Sequence, residues 1–368
     1  MRVLMIRPGP TWDLSRWSLK FKALSEWSSG LVLTSSTRTT SQALGDYEVR
    51  VLKRGPGLTI RLLEAAMAAG RDRPFDLVVS YDALKTGLIS LLAARALRTK
   101  MIVELSGDYA NPANFVDEQS GRVRNVRWLS YRSIARFVAR RADGTKTLYP
   151  EQLPNLGVKS NKPSANIFDF VDLRDFVPLS PQNLVLLVGF PYHVKGVDVM
   201  IEAFRKVAPR FPDWHLKIIG FYPDPTEILS KINGHPRMHL EAPMPRPKLA
   251  REMGASGIFV LPSRTEAMGR VLLEAAACGR PRIGTYAGGI PTVIQDGVDG
   301  LLVPPDDPSA LAEKLDELMS STSLREQLGA QALARAKREF TVEAYSASTQ
   351  DFYRRVVGSE PVLDQRGI

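Results

Sequence analysis

Residues 261–291 read LPSRTEAMGRVLLEAAACGRPRIGTYAGGIP, and their order decides the fold. The apolar run Gly257 to Leu261 that leads into them is a buried strand, ended by Pro262 and Ser263. A tight loop follows. Gly269 then opens a helix over Arg270 to Cys278, whose good helix formers stop at Gly279 and Pro281 in the order expected of a C-terminus. Such a helix turns the backbone N–H groups of Arg270, Val271 and Leu272 back into the loop, where unpaired donors and the positive dipole end favour phosphate. Glu266 in the loop and Glu274 in the helix, with seven residues between them, frame that end. An ionised carboxylate only accepts hydrogen bonds, and it can take two sugar hydroxyls at once. By spacing alone two readings stay open: a ligand site, or an ordinary strand-loop-helix unit carrying two unrelated acidic residues.

The whole string is more specific. It resembles the E-x7-E signature of the retaining glycosyltransferases of family 4, with PS before the first Glu, a Gly-ending turn after it and EA-small-x-CG-x-P around the second. Ala267, Met268 and Gly269 replace the family's Gly-aromatic-Gly turn, and Gly288-Gly289-Ile290-Pro291 matches its GGIPE segment, with Thr292 at the place of the last Glu. The resemblance implies an α/β chain of GT-B type: two Rossmann-like, doubly wound domains facing across a cleft. It covers about 184–340 strongly and 1–180 mainly in topology.

Length agrees, since 368 residues exceed one ordinary core and suit two domains. The expected division is 1–175 for acceptor binding and 181–341 for the nucleotide sugar, with Asp169 to Ser180 as linker and a last helix near 342–357 returning to the first domain. No apolar run reaches the roughly 18 residues of a membrane span, and Pro8 interrupts MRVLMIRPGP before a signal-peptide core forms. The expectation is a cytoplasmic protein. The single Cys278 excludes an internal disulfide framework and a cysteine zinc site, and its small-residue helix suggests packing.

The net charge of +10 is unevenly held: residues 1–180 carry 27 Lys and Arg against 17 Asp and Glu, and the remainder carries 22 of each. That asymmetry points to an anionic partner for the first half, whether membrane surface, lipid phosphate or nucleic acid, or else only to a solubilising basic face. Strands are expected at Arg2 to Arg7, Gly30 to Thr34, Glu48 to Leu52, Leu77 to Ser80 and Met101 to Leu105, alternating with helices in the doubly wound manner. Trp12, Trp17 and Trp27, among Arg16, Lys20 and Lys22, fit an interfacial helix or one that covers a sheet. The segment Gly121 to Ala142 carries Arg122, Arg124, Arg127, Arg132, Arg136, Arg140 and Arg141. Its periodicity predicts Val126, Leu129, Ile134 and Phe137 toward the core, with Arg124, Trp128, Tyr131 and Arg132 on the far side.

The resemblance also implies roles. Phe190 to Gly196 corresponds to the family segment whose Arg and Lys meet the diphosphate; Phe190 holds the Arg place, so Lys195 acts alone or with Arg264. Lys195 and the helix start at Met268, Gly269, Arg270, Val271 and Leu272 would take the diphosphate, Glu274 the ribose hydroxyls, and Glu266 the donor sugar beside its anomeric carbon. The donor would be a UDP- or GDP-linked sugar, with no cofactor and no metal, since no Asp-x-Asp pair or His cluster stands out. Gly9, Ser106 and Asp108 mark the acceptor side, where the family often has a His at the Ser106 place. The acceptor is expected to be a lipid-linked glycan or polysaccharide precursor, at an anionic membrane surface met by Arg124, Arg127, Trp128, Arg132 and Arg136. The rival readings are a nucleotide-sugar epimerase or hydrolase, a glycogen-type synthase, and a nucleic-acid binder. The last leaves Glu266, Glu274 and Lys195 without a purpose, so nucleic acid is not the expected partner.

Overall fold

The structure, a computed structural model, describes residues 1–7, 9, 14–36, 42–115 and 124–358; Trp12, Arg122 and the tail beyond 358 lie outside the described residues. The chain divides into two compact units, the first made of Met1–Ala110, Val126–Ile167 and Val342–Ile368, the second of Asn111–Asn125 and Phe168–Thr341. The break at 167/168 falls ahead of the expected one.

In the first unit the order is β1 (Arg2–Ile6), α1 (Leu14–Ser25), β2 (Ser29–Ser36), β3 (Gln42–Leu44), β4 (Tyr47–Lys53), α2 (Leu58–Asp72), β5 (Leu77–Ser80) and α3 (Lys85–Leu97). There follow β6 (Lys100–Glu104), α4 (Asn125–Arg141), β7 (Gly144–Thr147), α5 (Gln152–Asn155) and β8 (Ser164–Asn166). The strands lie side by side as β3-β4-β2-β1-β5-β6-β7-β8, parallel except for β3, which pairs antiparallel with β4. The chain builds outward from β1 on one side and then returns to lay β5 on the other, so the order reverses beside β1. Strands such as Val3 to Ile6 and Leu77 to Val79 are buried, as parallel strands covered by helices on both faces must be. The edge strand β3 was not expected from the sequence: its three residues are too few to show a period.

Two expectations about helices are corrected. In α4 the buried residues are Ala135, Val138 and Ala139, while Val126 is 81% exposed and Leu129 and Phe137 also face out; of the four expected core residues only Ile134 packs inward. The reason is close approach: a Cβ on Gly87 of α3 would stand 2.9 Å from Val138 Cγ1, which places the small-residue stripe of α4 against its neighbour. Trp17 is buried against Phe21, with ring centroids 5.3 Å apart, so it belongs to the helix that covers the sheet and not to a membrane face. Trp27 likewise donates its indole N–H to Ser346 Oγ at 2.9 Å. That serine lies on the last helix of the chain, Val342–Val357, which is part of the first unit.

The second unit runs β9 (Leu184–Val188), α6 (Val197–Val207), β10 (His215–Ile219), α7 (Thr226–Ile232), β11 (Met238–Glu241), α8 (Arg246–Ala255), β12 (Ile258–Val260), α9 (Arg270–Ala277), β13 (Arg282–Thr285), α10 (Ile290–Val293), β14 (Leu301–Val303), α11 (Pro308–Ser320) and α12 (Thr322–Glu339). The helix Val342–Val357 of the first unit is α13. The sheet of the second unit is parallel throughout, in the order β11-β10-β9-β12-β13-β14. The order reverses at β9, so the carboxyl ends of β9 and β12 border the crevice where such sheets bind ligands. The core gathers the apolar stripe of α6 (Val197, Met200, Ile201, Phe204) and that of α11 (Leu311, Leu315, Leu318) over the strands. Residues 169–180, expected as a linker, are packed on this unit: Val171 N–H donates to the Phe340 carbonyl at 2.9 Å, Leu179 N–H to that of Gly254 at 3.0 Å, and Phe176 is buried.

Candidate functional site

Three loops of the second unit converge beyond the strand ends. The one after β9 carries Lys195 to the start of α6, where Gly196 adopts a left-handed φ of 64°. A Cβ there would sit 2.0 Å from the Pro262 carbonyl oxygen, so only glycine lets this loop lie on the one after β12. Arg264 N–H donates to the Val194 carbonyl at 2.9 Å and joins the same two loops. The third, after β13, presses on Glu266: Gly289 N–H donates to the Glu266 carbonyl at 3.0 Å, and a Cβ on Gly288, at φ 51°, would come within 1.9 Å of that oxygen. The two glycines of the GGIP segment thus fix the backbone of the first motif Glu.

The result is an ion pair between Lys195 Nζ and Glu266 Oε2, whose side chains are 18% and 14% exposed. The other Glu266 oxygen accepts the Ala267 N–H at 3.1 Å. Glu266 is followed by buried Met268 and by Gly269, which starts α9 at φ 77°. One of the three expected helix-start donors is redirected: Leu272 N–H bonds the Gly269 carbonyl at 2.8 Å.

Glu274, one turn on and buried, has its carboxylate 3.5 Å from the Arg270 guanidinium and 3.7 Å from that of Arg246. Arg246 was missed by the sequence reading. It opens α8 and is placed by Asp175 at 3.1 Å and by the Phe176 ring at 4.9 Å, residues from a stretch read as linker. Its only sequence signal is an Arg between Pro245 and Pro247 just past a strand end.

Arg264 does not stand as a second phosphate cation. Its guanidinium grips Asp198 at 2.9 and 2.8 Å, meets Asp306 at 2.5 Å and donates to the His193 carbonyl at 2.5 Å. Burial opposes its charge, yet the Asp198 and Asp306 carboxylates hold its pKa above the ordinary value. Phe190, at the other place where a cation was sought, is exposed and meets Phe221 edge-on at 5.8 Å, giving this rim an aromatic surface. Cys278 is buried, and burial pushes its thiol up to about 12, so it packs and does not react. Among the described residues no cluster of three metal-ligating side chains occurs.

The remaining predicted residues lie elsewhere. Gly9 packs on the Ser35 carbonyl and the Arg54 guanidinium beyond β1. Ser106 Oγ lies 3.4 Å from the Tyr109 hydroxyl in its own loop, and Asp108 caps that loop by accepting Ala110 N–H at 3.1 Å. On α4, Arg127 stacks over Tyr131, Arg132 faces Trp128, and Trp128 donates to the Ala110 carbonyl at 3.2 Å; Arg136 lies beside Gly157.

Residues 182–321 match the family described as glycosyl transferases group 1. A D-inositol 3-phosphate glycosyltransferase of Thermobifida fusca (strain YX) is 29% identical over 227 residues, which are 54% of this chain and 52% of that protein. The match thus spans about half the length of such relatives. Sucrose-phosphate synthase from Thermosynechococcus elongatus superposes with a TM-score of 0.80 at 18% identity, covering 98% of this chain and 100% of that one. HepE of Anabaena, in complex with UDP-glucose, does so at 0.73 and 18%, covering 95% and 99%. Both likenesses concern the fold, which is of GT-B type with two parallel α/β sheets.

Proposed function

The chain belongs, through residues 182–321, to the glycosyl transferases group 1, and from that premise we propose that it is a retaining, metal-independent glycosyltransferase drawing on a nucleotide diphosphate sugar. The observation that carries this reading is the Lys195–Glu266 pair, held by three loops beyond the strand ends beside the start of α9. Departure of the nucleotide diphosphate builds negative charge, which Lys195 Nζ and the N–H groups at Arg270 and Val271 stabilise as it forms. Glu266 binds donor sugar hydroxyls and offsets the oxocarbenium-like charge at the anomeric carbon, as carboxylates do in glycoside hydrolysis. Glu274, oriented by Arg246 and Arg270, takes the ribose hydroxyls. The leaving phosphate accepts the proton of the acceptor hydroxyl on the same face, so configuration is retained and Glu266 forms no covalent bond.

The UDP-glucose complex of HepE supports a UDP-linked donor, with GDP as the other candidate. The acceptor is a lipid-linked glycan or polysaccharide precursor, taken by the first unit at the inner face of a membrane. The exposed Val126, Leu129 and Phe137 of α4, interleaved with exposed Arg127, Arg140 and Arg141, support that docking, since aliphatic and basic residues together suit an anionic interface. No helix among the described residues is long and apolar enough to cross a membrane. Thermal-shift measurement with UDP, GDP and ADP sugars tests the donor. A true donor at 100 times its dissociation constant stabilises by about 2.7 kcal/mol, and no shift with any of them would refute the assignment.

A further inference from the structure

The first unit contains a cavity that the sequence reading did not foresee. It has a volume of about 420 Å³ and lies at the carboxyl ends of β1, β2 and β5, where the strand order reverses. Its walls are mainly aliphatic, from Leu58 and Leu62 of α2, Leu88 and Ile89 of α3 and Ile134 of α4, with Tyr131 of α4 as the one aromatic. Its polar lining comes from Arg7 after β1, Ser35 of β2, Asp82 after β5, and Lys85 and Thr86 at the start of α3. Asp82 is buried and anchored by accepting the Leu84 N–H at 2.7 Å, whereas Lys85 is exposed. A mainly apolar hollow of this size with a few polar groups is the usual form of a small-molecule site. The same α4 that walls it with Ile134 turns Val126, Leu129 and Phe137 outward.

We propose that this cavity binds the aliphatic chain of an anionic lipid acceptor, with the head group's phosphate at Arg7 and Lys85 and the chain among the leucines. The inference rests on the reading of the first unit as the acceptor side. Three features fix the occupant's chemistry. A wall mainly of Leu and Ile side chains with a single aromatic, Tyr131, suits a hydrocarbon chain better than a sugar ring; Lys85 and Arg7, the latter buried over the Trp17 ring, supply two cations that complement a phosphate; and the outward apolar face of α4 puts the cavity's own wall at an apolar interface. A soluble sugar acceptor would leave the aliphatic wall in contact with water.

The test is calorimetry of the full chain with butyl, hexyl, octyl and decyl phosphate below their micelle concentrations. Affinity should rise by about fourfold per methylene, the equivalent of ~0.8 kcal/mol, until the cavity is full. Leu58→Trp, at a half-buried position, should fill the space and lower octyl phosphate affinity at least tenfold. Lys85→Glu should weaken octyl phosphate several-fold and leave octyl glucoside unchanged. Equal affinity along the series, or wild-type affinity in a Leu58→Trp protein of unchanged melting temperature, would overturn the proposal. Vesicles of phosphatidic acid should compete with octyl phosphate in the wild type; failure to compete would also overturn the lipid assignment. UDP binding on the same samples reports on the second unit alone. Its failure in the wild type would refute the donor reading, while the chain-length series still decides the cavity.

Discussion

Two ionic clusters of the second unit stand on neighbouring elements and do opposite things. In one, Arg282 and Asp299 are 0% and 1% exposed and pair at 2.8 Å, and Asp299 also binds Arg335 at 3.1 Å. Backbone carbonyls surround them: Arg282 donates to Val293 and Asp299, and Arg335 to Thr292. In the other, Lys195 and Glu266 sit on loops at the strand ends with part of each side chain open to solvent. A cluster closed by main-chain acceptors joins β13, the loop before β14 and α12, and is shut off from solvent. A pair with open valences, on loops fixed by glycine contacts, can exchange one partner for a substrate. Closure by main-chain acceptors therefore distinguishes these two clusters better than charge does.

That contrast is open to attack in order of expected effect. Asp299→Ala leaves the buried Arg282 guanidinium without a carboxylate and Arg335 with that of Glu339 alone, and breaking such a network costs about 3–5 kcal/mol. A thermal melt should fall by roughly 10 °C, and a fall under about 2 °C would show the cluster to be dispensable. Lys195→Ala and Glu274→Gln should instead reduce donor turnover at least tenfold, with melting nearly unchanged, because a desolvated charged contact to ligand is worth about 2–5 kcal/mol. Equal losses of stability and activity in these variants would erase the distinction.

The sequence exposed the second cluster and hid the first. Glu266, Gly269, Glu274 and Lys195 lie in short contiguous stretches that match a family motif, so the resemblance singled them out where spacing alone left them open. Arg282, Asp299 and Arg335 are scattered charges that look solvated until tertiary structure closes around them. Arg246 escaped for the same reason: its meeting with Glu274 depends on how α8 lies beside α9, which no spacing encodes. On α4 periodicity misled, since the helix buries its small residues and exposes its large apolar ones. The cavity of the first unit is assembled from three helices and three strand ends, none of which carries a motif.

Smaller effects sharpen the account further. Burial lifts the Cys278 thiol to about 12. The folded state keeps its proton above the ordinary value near 8.5, so the stability this confers is full below that pH and fades as pH rises toward 12. Iodoacetamide at pH 9 should accordingly label Cys278 only as fast as the protein unfolds, and rapid labelling of the folded protein would contradict its packing role. Excess EDTA should leave glycosyl transfer unchanged if, as proposed, Lys195 and the start of α9 balance the diphosphate in place of a metal. Loss of activity restored only by Mg2+ or Mn2+ would overturn that assignment of the charge.

The most direct test of the central claim is calorimetric titration of UDP-glucose and GDP-mannose into the wild type and into a Lys195→Ala/Glu274→Ala double variant of matched melting temperature. One of the two nucleotide sugars should bind the wild type and lose at least tenfold in affinity to the double variant. Equal binding by both proteins would contradict the site.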